Sequence, residues 1–129
     1  MHAALAWKLG CGLGLTSVGL GAFGAHGLKQ KLANDPEGAK KVANWATAAH
    51  YQMVHSIVLL AYSLRAAANP PTSMGRLAPW FLVGGILMFS GSIYGLVLSS
   101  NVGLRKVFGP VTPLGGLTLI AGWGLLLAL

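Results

Sequence analysis

At 129 residues the chain has single-domain length, and 54% of it is hydrophobic while only 9% is charged. An average soluble domain carries roughly 25% charged residues, so a water-soluble globule is excluded: the few charges cannot cover so much apolar surface. The net charge of +7 arises from scattered cations against Asp35 and Glu37; they neither cluster nor alternate with aromatics, which excludes a nucleic-acid footprint and fits cations flanking membrane segments.

Four apolar blocks cover about residues 7–25, 45–64, 77–99 and 111–129. A helix needs about 20 residues to cross a hydrocarbon core of roughly 30 Å, and each block meets that length. None alternates with period two, so a transmembrane barrel is not expected. The fold predicted is an all-α integral membrane protein: one domain, a bundle of four transmembrane helices, the second of them long and extending out of the bilayer.

The first block, Trp7 to Ala25, has Lys8 as its only charge. Lys8 and the Ala22-Phe23-Gly24 stretch allow a signal-peptide reading; the block is expected instead to be retained as a span. Gly19, Gly21 and Gly24 form a G-x-G-x-x-G, but no strand precedes it and no acid lies about 20 residues beyond, so a dinucleotide loop is not expected. Gly10, Gly14, Ser17, Gly21 and Ala25 make a ladder of small residues, the kind of face that lets helix backbones approach in lipid. Cys11, the lone cysteine, reads as a small buried hydrophobe.

His26 follows at the predicted interface. Lys29 and Lys31, within GLKQKL, are expected to lie on the membrane surface and meet lipid headgroups. Asn34-Asp35-Pro36-Glu37 reads as a helix start, with a capping side chain, a proline in the first turn and acids at the positive end. No breaker follows until past Leu64, so the second helix is predicted from near Asp35 to about Arg65, roughly 46 Å long. On it, His50 and His55 are about 140° apart and do not share a face. Gln52, His55, Ser56 and Ser63 form a polar stripe, and polar groups within a span usually face the bundle interior.

NPPTSMG then breaks the chain. The third block carries Ser90, Ser92 and a G-x-x-x-G formed by Gly91 and Gly95. The fourth is expected to start at Thr112-Pro113 and to pack through Gly115, Thr118 and Gly122. Lys8, Arg65 and Arg76 fall on the side of the termini; Lys29, Lys31, Lys40, Lys41, Arg105 and Lys106 fall on the other, which is therefore assigned to the cytoplasm or matrix.

The site chemistry expected is sparse. There is no G-x-S-x-G elbow and no carboxylate within a span, so no catalytic residues and no enzyme activity are expected. Histidines at i,i+4 are absent, so neither a metal nor haem is expected.

GAFGAHGL (21–28), WATAAHYQMVHS (45–56), FSGSIY (89–94) and TPLGG…AGW (112–123) resemble the motifs of the small membrane family called domain of unknown function 423, which takes in transmembrane protein 256 and the YgdD-like proteins. The matching residues are Gly21, Gly24, His26, Tyr51, Gln52, His55, Ser90, Gly91, Ser92, Tyr94, Thr112, Pro113, Gly115, Gly116 and Trp123. The resemblance implies a four-helix membrane protein and supplies no activity. It makes His26, Tyr51, Gln52, His55, Ser90, Ser92 and Tyr94 the candidate polar site. Its eukaryotic branch implies the mitochondrial inner membrane, with a bacterial inner membrane the alternative.

The function expected is a non-enzymatic accessory or structural subunit, packed against other membrane subunits or itself through Gly10, Gly14, Gly21, Gly91, Gly95, Gly115 and Gly122, with bound lipid and no cofactor. The alternative class is a transporter or ligand-binding protein using His26, Gln52 and His55. A haem-binding electron carrier comes third.

Overall fold

The computed structural model describes residues 1–129 and contains four helices and no strand. Helix α1 runs Ala3–Lys31, α2 Gly38–Ala68, α3 Ala78–Leu98 and α4 Val102–Leu126. By length and composition α1, α3 and α4 suffice to cross a membrane. The longest, α2 at 31 residues, is not among them. It holds the polar stripe and the Lys40-Lys41 pair.

Three boundaries differ from the sequence expectation. First, α1 does not end near Ala25. It passes through a π-helical turn at Gly24–Leu28 and continues to Lys31. Lys29 and Lys31 therefore extend the first helix rather than forming a separate surface segment. The turn lies where Gly24 presses on the Trp45 indole with no room for a Cβ.

Second, α4 starts at Val102, not at Thr112. Asn101 caps it, its side-chain oxygen accepting from Gly103 N at 2.8 Å. Pro110 and Pro113 thus fall inside the helix. In an aqueous helix an interior proline costs about 3 kcal/mol, which is why it reads as a start. In apolar surroundings, neighbouring hydroxyls and helices compensate the freed carbonyls. Arg105 and Lys106 consequently belong to the first turns of α4 and not to a connection.

The start of α2 is three residues later than predicted. Asp35 Oδ1 accepts from Glu37 N at 2.8 Å, and Gly38 N donates to Asp35 O at 2.8 Å. Pro36 belongs to this turn, ahead of the helix. Gly38 is required there because a Cβ would run into the Leu32 carbonyl.

Extensive contacts run from α1 to α2, α2 to α3, and α3 to α4. Helix α2 lies between α1 and α3. The apolar core has two parts: Leu59, Leu82, Ile86 and Leu119 toward the end with the termini, and Leu28, Trp45 and Val97 toward the other. Leu15, Val18, Ile57, Leu87, Leu117 and Ile120 are each more than half exposed. An outward layer of this kind suits lipid, where apolar side chains gain nothing from being inside. Both termini share one end. The Met1 ammonium donates to Arg76 O at 2.9 Å, and Thr72 Oγ1 donates to Ala128 O at 2.7 Å.

Candidate functional site in the polar core of α2

The polar stripe of α2 faces inward because its outer side is apolar and its inner side meets oxygen atoms of its neighbours. Gln52 is the hub. Its Nε2 donates to Leu13 O at 2.9 Å and to Thr16 Oγ1 at 2.8 Å, both on α1. Its Oε1 accepts from Tyr94 OH on α3 at 3.0 Å. One side chain therefore links three helices, and both amide protons are used.

His55 is held as firmly. Its Nδ1 lies 2.7 Å from the Tyr51 carbonyl, and its Nε2 lies 3.1 Å from the Trp123 indole Nε1. A carbonyl only accepts and an indole N–H only donates. The proton is therefore on Nδ1, and Nε2 is the acceptor. Tyr51 stacks on the imidazole at 5.8 Å between centroids and also meets Phe89 at 4.8 Å.

Around this pair runs a set of bonds from side chains to backbone carbonyls of adjacent helices. Trp45 Nε1 donates to Leu20 O at 2.7 Å and Ser17 Oγ to Ala49 O at 2.8 Å. Ser63 Oγ donates to Ala3 O at 2.9 Å and Ser90 Oγ to Ala48 O at 2.8 Å. Ser92 and Thr112 share a hydroxyl contact of 2.6 Å between α3 and α4. No buried side-chain nitrogen or oxygen lacks a partner.

The candidate residues are thus only partly brought together. Gln52, His55, Ser90 and Tyr94 share the core around α2, Tyr51 lies exposed over His55 at the edge of that core, and Ser92 lies on the α3–α4 seam. His26 does not join them. It is exposed on the last part of α1, so a site built from His26, Gln52 and His55 is not formed. Thr16, Ser17, Trp45, Thr112 and Trp123 complete the network. Their signal in the sequence is a hydroxyl or indole N–H inside an apolar span, where each needs a partner.

The glycines divide in the same way. A Cβ at Gly10 would meet Leu60 and Ser56 O at 3.0 Å, and one at Gly14 would meet Ser56 Oγ at 3.4 Å. Gly95 faces Phe108, Gly122 faces Leu82, and Gly115 lies against the backbone of Met88 and Phe89. Gly21 and Gly91 face open space, with nothing within 4 Å of a Cβ, and so are not packing glycines within this chain. The close approach expected of Gly21 belongs to Gly24, which is turned toward Trp45.

A groove of about 450 Å³ opens beside this core, lined by His50, Tyr51, His55, Phe89, Ile120 and Trp123 among others. Its walls are largely apolar, and the polar edge of His55 is already committed to Trp123.

A family model described as "Protein of unknown function (DUF423)" matches residues 20–116. A UPF0382 membrane protein of Schizosaccharomyces pombe is 43% identical over 122 residues, 94% of this chain and 97% of the relative. One of Staphylococcus haemolyticus is 40% identical over 88% of this chain and 84% of its own. The UPF0382 membrane protein YwdK of Bacillus subtilis is 37% identical over 84% of this chain and 81% of its own. No solved structure matches.

Proposed function

Since the chain belongs to the DUF423 family, whose relatives are membrane proteins described by no activity, we propose that its role is structural: a non-enzymatic subunit that packs within a larger membrane assembly. One observation carries this reading. Every buried side-chain nitrogen and oxygen has a partner inside the chain, as a packing core requires. A transporter needs polar groups that exchange partners with a substrate. Here both amide protons of Gln52 are held by α1, and the ring nitrogens of His55 are held by the Tyr51 carbonyl of its own helix and by Trp123 of α4. The fit of α2 between α1 and α3, polar side inward, also supports its being a fourth span, with its first turns beyond the bilayer.

The partner faces are the outer sides of the row. On α1, Gly12 and Gly19 face open space, so another backbone has room to approach. The membrane proposed is the inner mitochondrial membrane, or its bacterial counterpart, in keeping with relatives from a yeast and from bacteria. Purification of the native protein in mild detergent tests the role. The expected result is a stoichiometric complex with another subunit or with itself; a clean monomer with nothing co-purifying sinks it.

A further inference from the structure

We propose that the groove where α2, α3 and α4 meet at the basic end of the molecule binds the phosphate headgroup of an anionic phospholipid. The cavity holds about 610 Å³. Lys40, Lys41 and Asn44 from α2 and Arg105 from α4 form its polar wall, and Ile93 and Val97 from α3 are among its apolar lining.

The charges do not cancel within the chain. Lys41 is paired with Asp35, the chain's one ion pair. Glu37 shares the rim but forms no ion pair, and Arg105 acts on Asp35 only at longer range, so Lys40 and Arg105 have no ion-pair partner. Their placement also opposes the local electrostatics. Both α2 and α4 begin here, so two positive helix ends point into the same region, and cations in a first turn are unfavourable there. Lys40, Lys41 and Arg105 sit within the first four residues of their helices. Asp35 and Glu37 stand ahead of α2, but neither helix has an acid in its first turn, so an anion between the two starts is favourable.

The shape selects the kind of anion. A free phosphate satisfies the cations but leaves the apolar lining bare. A phospholipid places its phosphate on the cationic wall and the start of its acyl chains along Ile93 and Val97. Basic pockets between helices at the membrane surface are suited to such headgroups. Lys29 and Lys31 are different: they lie where α1 ends, where cations agree with the helix dipole, and they do not line the groove. The inference is independent of the structural role proposed above, since a monomer can hold the lipid and a subunit can lack it.

Native mass spectrometry of the purified protein in mixed micelles tests the site, with phosphatidylglycerol and phosphatidylcholine as probes. The expected result is preferential retention of phosphatidylglycerol. A Lys40→Gln/Arg105→Gln variant, at exposed positions and checked for intact helicity by circular dichroism, should retain it roughly tenfold less. Arg105→Lys should keep most retention, and Lys29→Gln/Lys31→Gln should leave it unchanged. Inorganic phosphate should not displace the lipid. Equal retention of the two lipids, an unaffected double variant, or displacement by inorganic phosphate alone overturns the proposal.

Discussion

The indole Nε1–H of Trp123 on α4 donates to His55 Nε2 on α2 across 3.1 Å, although the two residues are 68 positions apart. This bond is a polar tie between two helices that are not extensive neighbours, and it agrees with the tautomer of His55 that its other ring nitrogen requires. The Tyr51 carbonyl accepts a hydrogen bond from Nδ1–H at 2.7 Å, so Nε2 has to accept.

Trp123→Phe removes the donor and leaves Nε2 unpaired. Interhelical hydrogen bonds in membranes average about 0.6 kcal/mol and reach about 1.7. Unfolding of the variant in mixed micelles should show a loss in that range. The ¹⁵N spectrum of labelled His55 supplies the sharper readout: a single Nδ1–H tautomer in the parent, kept in Trp123→Phe by the Tyr51 carbonyl, with only the Nε2 resonance moving as its hydrogen bond is lost. A mixed population already present in the parent contradicts the assignment.

Gln52→Leu should be the more damaging change. It removes two donors to α1 and strands the Tyr94 hydroxyl, whose loss of a partner costs roughly 1–3 kcal/mol if it stays buried. Adding Tyr94→Phe to Gln52→Leu should therefore cost less than Tyr94→Phe alone in the parent. A double-mutant cycle by denaturant titration measures that coupling; strictly additive losses would show that the Gln52–Tyr94 bond carries no energy of its own.

Gly115 and Gly21 give opposite outcomes for the same substitution. A Cβ at Gly115 meets the backbone of Met88 and Phe89, which cannot rotate aside. Gly115→Ala should push α4 off α3 and cost roughly 1–3 kcal/mol, as overpacking does. Gly21→Ala meets nothing within 4 Å and should change monomer stability by less than about 0.5 kcal/mol. Thermal unfolding of the two variants side by side distinguishes them, and equal effects would mean the helix faces are assigned wrongly.

These positions also show what sequence alone makes legible. The inward stripe of Gln52, His55 and Ser63 could be read because polar groups within apolar helices turn inward. Their partners could not, because several are backbone carbonyls, those of Leu13, Tyr51 and Ala3, which any residue supplies. Repeated small-residue spacing identified the packing face of α1 at Gly10, Gly14 and Ser17, but not at Gly21. Beyond that, Trp45 occupies the space opposite Gly24, and the π-helical turn beginning there alters the angular period on which Ala25 was aligned. The start of α4 was hidden by Pro110 and Pro113, whose aqueous meaning does not carry over to a helix packed against α3.

Asp35 supplies a pH test at the end away from the termini. The Lys41 ammonium hydrogen-bonds its carboxylate, and the Glu37 N–H adds a second bond, so Asp35 titrates below its ordinary value of 3.8. A depressed folded-state pKa contributes stability that is present above the unfolded value and disappears as pH falls through the folded one. Asp35→Asn should therefore lower the unfolding midpoint at neutral pH, and the gap to the parent should close below about pH 4. The pair is partly exposed, so the gap should be small and should narrow in high salt. A gap unchanged between neutral and acidic pH would assign the effect of Asp35 to the geometry of the turn ahead of Gly38 rather than to its charge.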